Sequence, residues 1–205
     1  MRTTMPSAEE KRVPPGQYLV SKFPVLSYGP TPPFDPAKWD LQLVGEVSRP
    51  LRLDYSQFKA LPRVEQLSDF HCVTTWSRLN NRWQGVKSSE LLKLIELTPR
   101  ARFVIVRCEQ GYSTNLPLEE FLAEDVMLAD GLDGRPLEAD HGFPARLVVP
   151  KLYGWKSAKW VRALEFSAVD QPGFWEVRGY HNHGDPWREE RYGDDDEPDS
   201  GPAQP

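Results

Sequence analysis

The residues best placed to do chemistry form one run, Asp69-Phe70-His71-Cys72-Val73-Thr74-Thr75-Trp76-Ser77-Arg78. A thiolate is either a nucleophile or a ligand for a soft metal, and the neighbours decide which. Thr74, Thr75, Ser77 and Arg78 are donors suited to a thiolate or a bound oxyanion. Turn-prone polar residues follow the cysteine directly, and the aromatic-basic stretch Asn80-Asn81-Arg82-Trp83 leads to a turn at Gly85. A loop in such a frame is where a scaffold presents reactive groups. Covalent catalysis would need a base on the sulfur, and His71 and His141 are the candidates. Adjacent residues of a strand point to opposite faces, so His71 is poorly placed for that role. Metal ligation needs the thiolate alone. The ordinary alternative is a cysteine serving as a small buried hydrophobe.

The bulk properties narrow the field. With 205 residues and 39% hydrophobic content, the chain can bury one well-filled core. A net charge of -5 and a pI near 5.5 argue against a nucleic-acid footprint, which needs a basic face. No window approaches the ~20 apolar residues of a membrane span. Met1 to Gly16 are polar and proline-bearing, with neither an apolar signal core nor a twin arginine, so a cytoplasmic location is expected. The two cysteines, Cys72 and Cys108, are too few for a structural zinc site, and a reducing compartment argues against a disulfide between them. His181 and His183 lie two apart in a glycine-bounded loop without flanking cysteines.

Around Cys72, 20 prolines and 14 glycines predict short elements joined by fixed turns. Trp39, Leu41, Leu43 and Val47 alternate as in a strand. Asp54, with Gln57 three residues on, opens a short helix that stops at Pro62. Ser88 or Ser89 caps a second helix, with Leu91, Leu92, Leu94 and Ile95 on one face. Phe103 to Val106 reads as a central strand, Pro117 as a helix start, and Arg146 to Val149 and Trp160 to Leu164 as further strands. The class is α+β: a single mixed domain of many short strands with a few short helices. Residues 1–16 read as a disordered leader, 17–192 as the domain and 193–205 as a disordered acidic tail.

From about residue 18 to 192 the chain resembles the sulfite oxidase-like molybdopterin-dependent oxidoreductases in their small bacterial form. The resemblance rests on several motifs in order. They are Phe23 to Gly29, Phe70 to Val86, Gly111 to Leu118, His141-Gly142-Phe143-Pro144-Ala145-Arg146 with Leu147 to Pro150, Tyr153 to Trp160, and Gly173-Phe174-Trp175-Glu176 with Gly179-Tyr180-His181. It implies the molybdopterin-binding fold and a Mo-molybdopterin cofactor whose metal is held by Cys72. It also implies cofactor contacts from Phe23, Leu26, Ser27, Cys108, His141, Arg146, Ser157, Ala158 and Lys159. Tyr112 and Arg78 are the implied catalytic partners of Cys72. The reaction would be two-electron oxygen-atom transfer on a small S- or N-oxo substrate, with electrons from a separate protein and the chain acting as a monomer. In one respect the chain departs from the sulfite-oxidising members, which place an arginine four residues after the cysteine: here that residue is Trp76. Sulfite oxidation is therefore the weaker alternative, beside a molybdopterin carrier without turnover and a cofactor-free cysteine hydrolase.

Overall fold

A computed structural model describes Ser7 and residues 9–193. Two mixed sheets carry the chain. The strands are β1 (Tyr18–Leu19), β2 (Asp40–Gly45), β3 (Leu51–Asp54), β4 (Val64–His71), β5 (Trp76–Lys87), β6 (Phe103–Cys108), β7 (Ser113–Pro117), β8 (Met127–Leu132), β9 (Arg135–Pro136), β10 (Arg146–Val148) and β11 (Val161–Ser167). The first sheet runs β1-β5-β8-β10, with β4 also pairing β5 and β9 pairing β8. The second runs β3-β2-β11-β6-β7. Three short helices join them, α1 (Tyr55–Ala60), α2 (Ser88–Leu92) and α3 (Leu118–Phe121).

Local chemistry accounts for most of these elements. Val104, Ile105 and Val106 are almost fully buried because β6 lies between β11 and β7, covered on both sides. Asp54 caps α1 as a full capping box, its side chain accepting from the Gln57 amide while Gln57 reaches back. α2 opens at Ser88 with Lys87, not a serine, as its N-cap, and Lys87 makes no side-chain capping bond. Two apolar clusters result. The larger is built on the second sheet, and the smaller gathers Phe70, Cys72, Trp76, Trp83, Met127 and Val148 on the first, with Phe23 packed against it.

Two expectations need correcting. Gly85 is not a turn but lies inside the twelve-residue β5. A Cβ there would meet the Leu128 carbonyl oxygen at 2.1 Å, where the β5–β8 register shifts, so glycine permits the close approach of the strands. The leader is not disordered throughout: residues 10–12 form a 3-10 turn, and Arg12 bonds to both Asp69 and Asn80 at the β4–β5 edge. Residues 1–6 and 8 of that leader and residues 194–205 of the acidic tail lie outside the described residues.

Candidate active site

Cys72 occupies the turn between β4 and β5. The turn is closed by Cys72 N–H donating to Trp76 O (2.9 Å) and Thr75 N–H donating to Cys72 O (3.0 Å). Thr75 takes a φ of 73°, a left-handed conformation that costs a β-branched residue on the order of 1–3 kcal/mol. Strain of that kind persists only where the surroundings impose it, here β4 and β5 on either side. The strand alternation then separates the two neighbours. His71 Nδ1 meets Ser77 Oγ at 2.8 Å in a buried pair, while Cys72 Sγ lies 3.1 Å from Thr74 Oγ1 on the other side. Gly154 closes the back, its amide donating to His71 O at 2.8 Å; a Cβ there would strike the Phe70 ring at 2.6 Å.

Burial raises the Cys72 thiol pKa, against the smaller opposing effects of Thr74 and Arg146. An uncharged thiol beside a histidine that hydrogen-bonds elsewhere is a poor nucleophile. It remains a competent metal ligand, because a metal displaces the proton. The arrangement disfavours the hydrolase.

The sulfur faces a cavity of about 380 Å³, within the ordinary range for a small-molecule site. Phe23, Leu26, Ser27, Cys72, Tyr112, Arg146, Ser157, Ala158 and Lys159 all line it. Arg146 is 3% exposed and sits over Phe70 (4.9 Å), Phe23 (5.3 Å) and Trp83 (5.7 Å). Its Nη1 donates to His141 O at 3.1 Å, but its Nε is buried without a partner, and no carboxylate pairs with it among the described residues. Burial brings its pKa down to about 10. Lys159 Nζ donates to Ser27 Oγ (2.7 Å) and Asp140 O (2.6 Å). Burial and then the Arg146 charge bring its pKa down to about 7. Two cations without a carboxylate on one cavity repel each other, and an anion between them would relieve both.

The backbone adds donors to the same wall. Among the described residues the Ala158 and Lys159 amides donate to no protein acceptor, whereas the Ser157 amide is taken by Gly154 O. Trp160 follows with a φ of 54°, a left-handed turn of the backbone just after those amides. Orphaned Nε, unpaired ammonium, free amides and thiol together fit a pterin carrying a phosphate.

Three candidate site residues, Arg78, Cys108 and His141, fall elsewhere. Arg78 does not line the cavity. Its guanidinium donates to Ser21 O, Asn81 Oδ1 and Asp133 Oδ2, because alternation on β5 carries it to the side opposite Ser77. Arg82 likewise pairs with Glu65, so neither arginine replaces the charge missing at Trp76. Cys108 is buried in the larger core, where burial pushes its thiol pKa up strongly. His141 stands behind the wall, edge-on to Phe23 at 5.2 Å, and its Nδ1 is buried without a partner.

The two inner tyrosines of the cavity differ in how their hydroxyls are engaged. Tyr112 lines the cavity, but its hydroxyl donates to Trp155 O at 2.7 Å and its proton is thereby held. Tyr180 lines it too, stacked on Trp175 at 5.0 Å and against the edge of Trp155 at 5.1 Å. Its hydroxyl enters no hydrogen bond among the described residues, and burial raises its pKa with smaller contributions from Tyr192 and Cys72. Of Tyr112 and Tyr180, Tyr180 is thus the one whose hydroxyl is unengaged among the described residues. The motif Gly179-Tyr180-His181 contained it, but no periodicity marks a loop tyrosine as inward-facing. The supporting pair was missed as well: Lys156 Nζ meets Glu176 Oε1 at 2.6 Å with both side chains buried. Glu176 also accepts from Trp155 Nε1 and Thr114 Oγ1 and so ties the Trp155 turn to the loop carrying Tyr180. A fully buried lysine runs against the default for that residue.

Comparison with known sequences agrees with this architecture. Residues 28–175 match the oxidoreductase molybdopterin-binding domain. The chain belongs to that family. It is 47% identical over 190 residues to the oxidoreductase YuiH of Bacillus subtilis (strain 168), covering 92% of this chain and 96% of that one. It is 28% identical over 160 residues to the protein-methionine-sulfoxide reductase catalytic subunit MsrP of Campylobacter jejuni, covering 70% of this chain but 54% of that one. The chain thus spans about half the length of MsrP. Among solved structures, the sulfane dehydrogenase SoxCD of Paracoccus pantotrophus superimposes with a TM-score of 0.62 at 22% identity, over 82% of this chain and 54% of that one. That likeness is one of fold. The family makes the chain a molybdopterin-binding oxidoreductase of mixed sheets and short helices, as its sequence motifs implied.

Proposed function

We propose that the cavity holds a molybdenum-pterin cofactor with Cys72 as the protein ligand. The reaction is two-electron transfer of one oxygen atom to or from a small sulfur or nitrogen compound. When bound, the cofactor supplies the redox change and the two-electron oxygen exchange. The chain's own residues do the rest. Arg146, Lys159 and the Ala158 and Lys159 amides bind the phosphate. Thr74 Oγ1, 3.1 Å from Sγ, stabilises the thiolate. The Tyr180 hydroxyl donates a hydrogen bond to the oxygen being transferred, where negative charge develops. Trp76, Trp155 and Tyr112 close the walls against water, and electrons come from a separate protein.

One observation carries this reading: a thiol and two carboxylate-free cations line the same buried cavity. The relative MsrP, a protein-methionine-sulfoxide reductase, adds a precedent for oxygen-atom chemistry on sulfur. With Arg78 and Arg82 engaged elsewhere, sulfite oxidation lacks the cationic pocket it requires.

The test is metal content by mass spectrometry and pterin fluorescence after oxidation, on protein from a host that makes the cofactor. Near-stoichiometric molybdenum and pterin are expected, with turnover lost in Cys72→Ser. Turnover undiminished in Cys72→Ser would leave a different oxygen-transfer site, and wild-type protein lacking both metal and pterin would end the proposal.

A further inference from the structure

The far wall of the cavity is aromatic, and its rings touch in sequence from rim to interior. Tyr28, 68% exposed at the rim, packs on Phe174 at 4.8 Å. Phe174 meets Trp175 at 5.1 Å, Trp175 stacks on Tyr180 at 5.0 Å, and Tyr180 abuts Trp155 at 5.1 Å. Trp76 lines the same cavity and stacks on Phe70. Apolar exposure continues outside this wall, with Leu26 at 50% and Val25 at 47%.

Charge on the lining is scarce and committed. Among the described residues, three formally charged ones line the cavity: Arg146, Lys159 and Glu109. The two cations serve the cofactor phosphate, and Glu109 is paired with Arg162 at 2.5 Å. Arg178 is taken up by Phe174, stacking 3.7 Å from the ring centroid and donating to its carbonyl at 2.6 Å. An oxyanion entering here would lose its hydration and find no free cation, which is strongly unfavourable. A flat apolar group would instead exchange water for ring faces at the 4.5–7 Å spacing that aromatic pairs favour.

We infer that the substrate is a neutral organic oxide bearing an aromatic or similarly flat apolar group beside the transferred oxygen, held by the wall of Tyr28, Phe174, Trp175 and Tyr180. This rests on the function proposed above and names the substrate class for it. For an aryl sulfoxide the balance is one S=O bond broken, two electrons and two protons taken up, and a thioether and one water released. A low-potential one-electron carrier delivers the electrons one at a time.

The probes are methyl phenyl sulfoxide, dimethyl sulfoxide and sulfite, assayed with cofactor-loaded protein and dithionite-reduced viologen, or ferricyanide for sulfite. Replacing a methyl group by phenyl should raise kcat/KM roughly tenfold to hundredfold, the size expected for burying one ring. In Tyr28→Ala and Phe174→Ala that preference should fall about tenfold, with molybdenum content unchanged. Equal kcat/KM for the two sulfoxides, or faster turnover of sulfite, would overturn the inference. Molybdenum content and dimethyl sulfoxide turnover report separately on the underlying function. If both fail, binding of methyl phenyl sulfide to the same protein, read by tryptophan fluorescence, still decides the wall. Saturable binding that weakens about tenfold in Tyr28→Ala supports it, and no binding to wild type refutes it.

Discussion

Replacing Arg146 with methionine should stabilise the cofactor-free protein while abolishing its ability to hold the cofactor. The guanidinium is 3% exposed and has no carboxylate partner among the described residues, and burial lowers its pKa by more than two units, to about 10. At 1.36 kcal/mol per unit, confinement of that charge costs the folded state about 3 kcal/mol. Methionine has a comparable length and removes the charge. It forfeits the hydrogen bond to His141 O, worth about 1 kcal/mol. The cation–ring contacts to Phe23, Phe70 and Trp83 are exchanged for sulfur–ring contacts of similar size. The net is a stabilisation of about 2 kcal/mol, or an increase in Tm of about 4–8 °C for a domain of this size. Urea denaturation of protein from a host unable to make the cofactor reads this part. Molybdenum content from a competent host reads the other and should drop below about a tenth of wild type, since the phosphate loses its buried charge partner. A variant destabilised by 1 kcal/mol or more, or one retaining full molybdenum, would refute the assignment of Arg146 as a strained anion anchor.

Lys159 supplies a pH test. Its folded pKa is about 7, well below the roughly 10.4 of an unfolded lysine. Between those values the unfolded chain binds more protons, so this residue makes stability rise with pH from 7 to about 9.5, by on the order of 1–3 kcal/mol once partial exposure is allowed for. The rise, taken as the difference between wild type and Lys159→Met in cofactor-free protein, should be absent in the variant. Tyr180→Phe should lower kcat about tenfold to hundredfold with molybdenum unchanged, and Tyr112→Phe should lower it less than threefold. The reverse order would restore Tyr112 as the working phenol. Gly85→Ala should lose more than about 2 kcal/mol in urea denaturation, because its Cβ would meet the Leu128 carbonyl at 2.1 Å; a neutral result would mean the β5–β8 pairing adapts.

Much of the scaffold was legible because local rules and tertiary context agreed. The capping box at Asp54 and the continuous apolar run of β6 are local signals that the fold keeps. β4 and β5 were not legible as long strands, since Asn80, Asn81 and Arg82 read as loop chemistry and Gly85 as a turn. In the structure Asn81 is buried and donates to Ser68 O across the β4–β5 pair and to Arg78 O on its own strand, a compensation that is complete only once the strands meet. Arg146 and Lys159, which line the cavity, were singled out through motif order alone. Side-chain direction was not: strand alternation turns Arg78 toward Asp133, and a loop brings Tyr180 inward where Tyr112 seemed the better candidate. The buried Lys156–Glu176 pair depends on contacts between segments twenty residues apart in sequence, and no spacing rule predicts it.

Molybdenum K-edge X-ray absorption on cofactor-loaded wild type and Cys72→Ser tests the central claim most directly, because it counts the sulfur atoms bound to the metal. The account predicts one sulfur fewer in Cys72→Ser, with the pterin content of the two proteins alike. The same sulfur count in both proteins would contradict the claim that Cys72 holds the metal.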